Sequence, residues 1–301
     1  MSPIAWSSDG RTKPEALPAQ SERAAEVLSE RLALFVPEQP RRRLADLVLS
    51  AETERALQVA LAKIQHHTLL YQTWGLAEIH PEGRGAAINL YGASGTGKSF
   101  AAEAIAQHLG KLIIRVDYAQ LESRYVGDTP KNIVAAFEAA RAHQAVLFFD
   151  EADSVLSVRV TNITQAADYG VNISRSTLLL QLDAFEGVVI FATNLARNYD
   201  PAFVRRILAH VPFTLPDEAA LVRLWRYHLP QKLPRSPEAT PEALAALSLG
   251  LSGGDILNCV LLAASEAALR GAPAVSLADF TAAIAQVRRA KVEIGQGGAL
   301  P

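Results

Sequence analysis

Gly92-Ala93-Ser94-Gly95-Thr96-Gly97-Lys98-Ser99 fills the pattern GxxxxGK[ST] at every fixed position. The apolar run Ala86-Ala87-Ile88-Asn89-Leu90-Tyr91 leads into it, and the helix-forming Phe100-Ala101-Ala102-Glu103-Ala104-Ile105-Ala106 follows it. A strand before and a helix after are the setting in which such a loop cradles phosphate. The glycines let successive backbone N–H groups turn inward, and the helix that begins there adds roughly half a positive charge at its N-terminus. Lys98 can reach the β- and γ-phosphates as a point charge, and the Ser99 hydroxyl is a ligand for Mg²⁺. Gly92, Ser94, Gly95, Thr96, Gly97, Lys98, Ser99 and Phe100 are therefore the expected contacts of a bound polyphosphate.

The rest of the 301 residues is 50% hydrophobic and 20% charged, enough to bury a full core and to divide into one large and one small domain. A formal net charge of -2 and a pI near 6.4 leave no global footprint for nucleic acid. No apolar run approaches the roughly 18 residues of a membrane span, and the N-terminus lacks a basic region followed by an apolar one, so a cytoplasmic protein is expected. The single cysteine, Cys259, is followed by the apolar Val260 and Leu261 and reads as a buried helix position.

Residues 1–20 carry Pro, Ser, Gly and charge without periodicity and read as a flexible leader. Residues 21–36 have the apolar spacing of an amphipathic helix, ended by Pro37 and Pro40. Together they make an N-terminal part, residues 1–44. Arg41-Arg42-Arg43 beside a proline turn reads as a solvated surface. A second helical stretch covers 51–74. Beyond the phosphate loop, Leu112-Ile113-Ile114-Arg115-Val116, Ala145-Val146-Leu147-Phe148-Phe149 and Val188-Val189-Ile190-Phe191-Ala192-Thr193 look like buried parallel strands between alanine-rich helices, with a fifth strand near 211–215. That defines an α/β domain over 45–215. After Pro216 only helical patterns remain, at about 217–228, 241–247, 254–269 and 277–290, giving a small all-α domain over 216–291 and a frayed tail over 292–301.

The strand Val146-Leu147-Phe148-Phe149 ends in Asp150-Glu151, the arrangement of a Walker B motif: Asp150 for the Mg²⁺ shell, Glu151 to polarise the attacking water. Asp150-Glu151-Ala152-Asp153 also imitates a helicase box, but such a helicase needs a second nucleotide-binding-like domain, and only helical sequence follows the fifth strand. Asn194 ends the next strand. Alone such an Asn caps a turn; beside two acids on a neighbouring strand it is placed to sense the γ-phosphate or orient water. Arg205-Arg206 follow within a dozen residues.

The order of phosphate loop, Walker B, Ala192-Thr193-Asn194, Asp200-Pro201-Ala202-Phe203 with Arg205-Arg206, and Gly250-Leu251-Ser252-Gly253-Gly254-Asp255-Ile256 resembles the AAA ATPases. The resemblance covers about residues 45–290 and implies an AAA large domain: a five-stranded parallel phosphate-loop domain followed by a small all-α lid. It implies ATP with Mg²⁺, and a homohexameric ring with nucleotide at each subunit interface. In that frame Arg205 and Arg206 match the arginine-finger positions, though Ile207-Leu208-Ala209 departs from the usual continuation and leaves open which arginine acts. Gly254 and Asp255 match the second sensor segment, where missing side chains would let the lid backbone approach the adenine or ribose. Tyr125-Val126-Gly127, by itself an exposed turn with an aromatic, matches the first pore loop, which grips an extended polypeptide, and 157–169 would be a second one.

These features together point to mechanical work on a protein client. Asn172-Ile173-Ser174-Arg175-Ser176, the run Leu178-Leu179-Leu180-Gln181-Leu182-Asp183, and Tyr199-Asp200-Pro201-Ala202-Phe203-Val204 are similar to the pachytene-checkpoint type of remodeller, which acts on HORMA-domain proteins and whose bacterial versions accompany cyclic-oligonucleotide anti-phage signalling (CBASS) operons. The competing class is a nucleic-acid-associated loader ATPase, supported only by Arg41-Arg42-Arg43.

Overall fold

The computed structural model describes residues 29–79, 85–117, 121, 128–156, 166–194 and 199–293. The leader, most of the helix expected at 21–36, the Tyr125-Val126-Gly127 triplet, most of 157–169 and nearly all of the tail lie outside the described residues.

Five strands form one parallel sheet: β1 Ala86–Gly92, β2 Ile113–Asp117, β3 Val146–Asp150, β4 Val188–Thr193 and β5 Ala209–Phe213, in the order β2-β3-β4-β1-β5. The strands are apolar on both faces because both faces are covered. Ile88 and Leu90 of β1, with Val146, Phe148, Ile190 and Val211, pack against α1 (Ala51–Gln65) and α2 (Lys98–His108). Ala87, Ile114, Phe149, Val189 and Phe191 face the other way, onto α3 (Asp128–His143), α5 (Ala166–Ala184) and α6 (Pro201–Arg206). The short helix α4 (Asp153–Leu156) follows β3 directly.

The fifth strand begins two residues earlier than its apolar pattern suggests. His210 looks polar enough to be loop, but it stands opposite Asn89 of β1, whose Nδ2 is 3.2 Å from His210 Nδ1, so one polar atom of each is paired inside the sheet. Pro212, which lacks an N–H, is tolerated because β5 is an edge strand. The helix expected over 51–74 stops at Gln65 and continues as a π-helical turn at Leu69–Thr73.

Four helices follow among the described residues: α7 Glu218–His228, α8 Pro241–Leu247, α9 Gly253–Leu269 and α10 Leu277–Glu293. They enclose a separate core around Trp225, Leu244, Ile256, Cys259 and Phe280. Each of the first three starts at a side-chain cap (Asp217, Thr240, Ser252), and Ser252 with Asp255 forms a reciprocal capping box.

Candidate nucleotide site

The carboxyl ends of β1, β3 and β4 converge where the chain turns from β1 into α2, and there a cavity of about 440 Å³ opens. Its floor is the phosphate loop. Gly95 and Gly97 hold φ of +76° and +100°, which only glycine adopts readily, so these two positions set the curl of the loop. Lys98 is almost fully buried, and its Nζ donates to Gly92 O and Ala93 O at 2.8 Å each and to Asn194 Oδ1 at 2.9 Å. Burial pushes the ammonium below its usual pKa, and Asp150 and Asp153 oppose that shift.

The Ser99 hydroxyl donates to Asp150 Oδ2 at 2.8 Å, while Asp150 Oδ1 accepts from the Glu151 N–H at 3.0 Å. A hydroxyl and a carboxylate side by side make a hard oxygen donor set of the kind Mg²⁺ takes. Glu151 is exposed to the cavity and has φ of +50°, a strained backbone for a residue with a side chain. Asn194 also lines the cavity. Its backbone N–H donates to Asp153 Oδ1 at 3.1 Å, and the Thr193 hydroxyl donates to the same oxygen. Asp153, read from sequence only as part of a helicase-like box, therefore anchors the tip of β4.

The lid closes one side. Gly254 N donates to Gly95 O at 3.0 Å, and a Cβ on Gly95 would lie 2.5 Å from Ser252 Oγ, so the glycines of lid and phosphate loop touch backbone to backbone. Gly254 lines the cavity; Asp255 does not. Its carboxylate accepts from the Ser252 N–H and hydroxyl at 2.8 Å and from Lys291 at 2.6 Å, which commits it to the start of α9. Several lining residues escaped sequence reasoning: Leu47 and Val48 before α1, Tyr227 and His228 at the end of α7, and Arg42, whose guanidinium sits 4.9 Å over the Phe100 ring. The arginine triplet is exposed, as a solvated surface should be, and Arg42 adds its contact with Phe100. Arg43 pairs with Asp46 at 2.9 Å within its own turn.

Arg205 and Arg206 are elsewhere. Helix α6 carries them to the amino ends of the strands, where both line a second cavity of about 630 Å³ with Ala86, Ala87 and Val189. Arg206 is held by Asp183 through two bonds of 2.7 and 2.8 Å, which raises its pKa further. Arg205 is exposed and makes no side-chain hydrogen bond or ion pair among the described residues.

A parallel sheet with a glycine-rich anion cradle, a hydroxyl–carboxylate pair and a strained glutamate at the strand tips defines a phosphate-loop nucleotide-binding protein. Residues 88–215 match the family model described as "ATPase family associated with various cellular activities (AAA)", and through this domain the chain belongs to the AAA ATPases. Similar proteins include the 26S proteasome regulatory subunit 4 homolog of Schizosaccharomyces pombe, 32% identical over 83% of this chain and 55% of its own length. The ATP-dependent zinc metalloprotease FtsH 3 of Sphaerobacter thermophilus is 35% identical over 66% of this chain and 42% of its own. The proteasome-activating nucleotidase of Methanopyrus kandleri is 29% identical over 87% of this chain and 60% of its own. The chain thus spans about half the length of the relatives it matches.

Proposed function

We propose that this chain is a ring-forming AAA ATPase that spends ATP hydrolysis on threading and remodelling a protein client. The observation that carries the reading is a site complete on one side only. Lys98, Ser99, Asp150, Glu151 and Asn194 share one cavity, while the arginine positions lie at the far end of the strands and can act only on nucleotide held by another copy.

In this reading the phosphate loop and Lys98 hold the polyphosphate, and a phosphate takes over the contacts that Lys98 now makes with loop carbonyls and Asn194. Ser99 and Asp150 would hold Mg²⁺, which neutralises charge on the phosphates when bound. Glu151 accepts the proton of the attacking water, and Asn194, fixed by Asp153, orients that water or the γ-phosphate. Arg205 is the better arginine finger, since Arg206 is spoken for by Asp183.

A polypeptide client is supported by the Tyr125-Val126-Gly127 triplet and by relatives named for the proteasome and for a protease. The nucleic-acid alternative rests on three exposed arginines alone, of which Arg42 lies over Phe100 and Arg43 pairs with Asp46. Within this class the finer proposal is a HORMA-domain client in an anti-phage cyclic-oligonucleotide system, supported by the segments 172–183 and 199–204.

The test is Glu151→Gln. It should bind ATP normally, lose turnover by roughly 10²–10⁴-fold and hold its client in the presence of ATP. Identification of the captured protein by mass spectrometry then judges the client: a HORMA-domain protein supports the finer reading, and normal turnover in the variant would sink the whole assignment.

A further inference from the structure

Residues 29–48 precede the ATPase module in sequence, yet they are bonded to it at several distant points. At one end Arg31 forks. Its Nη2 donates to Asp128 Oδ1 at 2.8 Å and its Nη1 to Asn132 Oδ1 at 2.7 Å. Asn132, 5% exposed, in turn donates through Nδ2 to Leu121 O at 3.2 Å. Leu121 and Asp128 are the two described residues that bracket 122–127, and one guanidinium holds both, the first through Asn132 and the second directly.

Next along the chain, Phe35 is buried in the core on the α3 side of the sheet. Glu38 pairs antiparallel with Ile113 through backbone bonds of 2.8 and 3.0 Å, covering the open edge at β2. Arg115 links the Glu38 carboxylate to Glu103 of α2, which also accepts from the Arg41 N–H. At the far end Arg42 lies over Phe100, and Asp46, Leu47 and Val48 line the nucleotide cavity.

We propose that residues 29–48 are a coupling strap, with Arg31 a positioning residue that holds the base of the client-contacting segment while the other end of the strap reads the nucleotide cavity. The inference rests on the threading function proposed above. A partly buried ion pair adds little net stability, so the fork is better explained by direction than by strength: a planar guanidinium fixes two acceptors at a set angle, which an apolar contact cannot do. Phe35 and the Glu38 bridge seat the strap on the α3 face and on β2 between its ends.

Amide hydrogen exchange and ATP turnover in the full chain test this. In the parent protein, ATP should slow exchange at Leu121, Thr129, Lys131 and Asn132. Arg31→Ala should keep ATP affinity and basal turnover within about twofold, speed exchange at those amides about tenfold, and abolish their response to ATP, with residues 98–108 unaffected. Arg31→Lys, which retains the charge but not the fork, should recover only part of that response. Turnover is also measured with a permanently unfolded probe, reduced and carboxymethylated α-lactalbumin; its stimulation should vanish in Arg31→Ala as it does in Tyr125→Ala. The coupling strap is overturned if exchange at Leu121 and Asn132 is unchanged in Arg31→Ala, if it rises throughout the molecule, or if the ATP response survives. Should Tyr125→Ala keep its stimulation by the probe, the threading reading fails instead, and the exchange result still judges the strap.

Discussion

Glu151 stands one residue beyond β3 with a backbone most side chains avoid, while its neighbour Asp150 is spent on Ser99 and on the Glu151 N–H. Strain of this kind persists where the surroundings over-determine it, and here the Ala152 N–H bonded to Ala192 O at 2.9 Å pins the next residue to β4. The two arginines make a sharper contrast. Arg205→Ala should cut turnover by roughly 10³-fold or more with the melting temperature unchanged, whereas Arg206→Ala, losing only its hold on Asp183, should lower the melting temperature and leave turnover within a few-fold. Steady-state kinetics beside calorimetry separates the two, and equal kinetic losses would reassign the finger. Gly95→Ala would place a methyl group against Ser252 at a positive φ. The expected result is ATP binding weakened about tenfold through a displaced lid, read by titration with a fluorescent nucleotide.

At the scale of elements, the sheet was legible because strands covered on both faces must be apolar throughout, as Phe148-Phe149 and Ile190-Phe191 are, and because the phosphate loop fixes what precedes and follows it. The lid helices were legible from their caps and spacing. What could not be read was pairing between residues far apart in the chain: Arg31 meets its partners 97 and 101 residues away, and Asn89 makes a strand position of His210 from 121 residues away. The arginine triplet is exposed as its composition suggests, but the contact of Arg42 with Phe100 was hidden for the same reason, since Phe100 lies on a helix whose packing no local pattern reveals. Burial of His210 lowers its pKa, and His228 shifts the same way for the same reason. The sign follows from proton binding. Below the ordinary histidine pKa of about 6.5 the unfolded chain takes up protons that the folded chain resists, so stability falls as pH drops through that window and is level above it. Melting temperature should therefore decline between pH 7.5 and 5.5, and His210→Gln should flatten part of the decline; an unchanged slope would remove His210 from the account.

For the whole molecule, the separation of the phosphate loop from Arg205 by the length of the sheet makes each proposed active site the joint property of two copies. Lys98→Ala and Arg205→Ala should each be inactive alone. Mixed in equal amounts and allowed to exchange, they should recover about a quarter of parent turnover, the share of interfaces that join an intact phosphate loop to an intact arginine. No recovery would mean that the arginine acts within its own chain or not at all. Given the lid's contact with Gly95, a nucleotide in the cavity would sit between two cores, so saturating ATP should stabilise Glu151→Gln by about 2.7 kcal/mol at a hundredfold excess over Kd. Cys259 bears on how such motions can be followed. It is the sole cysteine of the chain, it is fully buried in the lid, and burial pushes its thiol up to about 12, which disfavours the thiolate at neutral pH. The native protein is therefore nearly silent toward maleimides, and a pair of engineered surface thiols, one on α9 and one on α1, would carry a donor and an acceptor dye and report lid movement by energy transfer against no background.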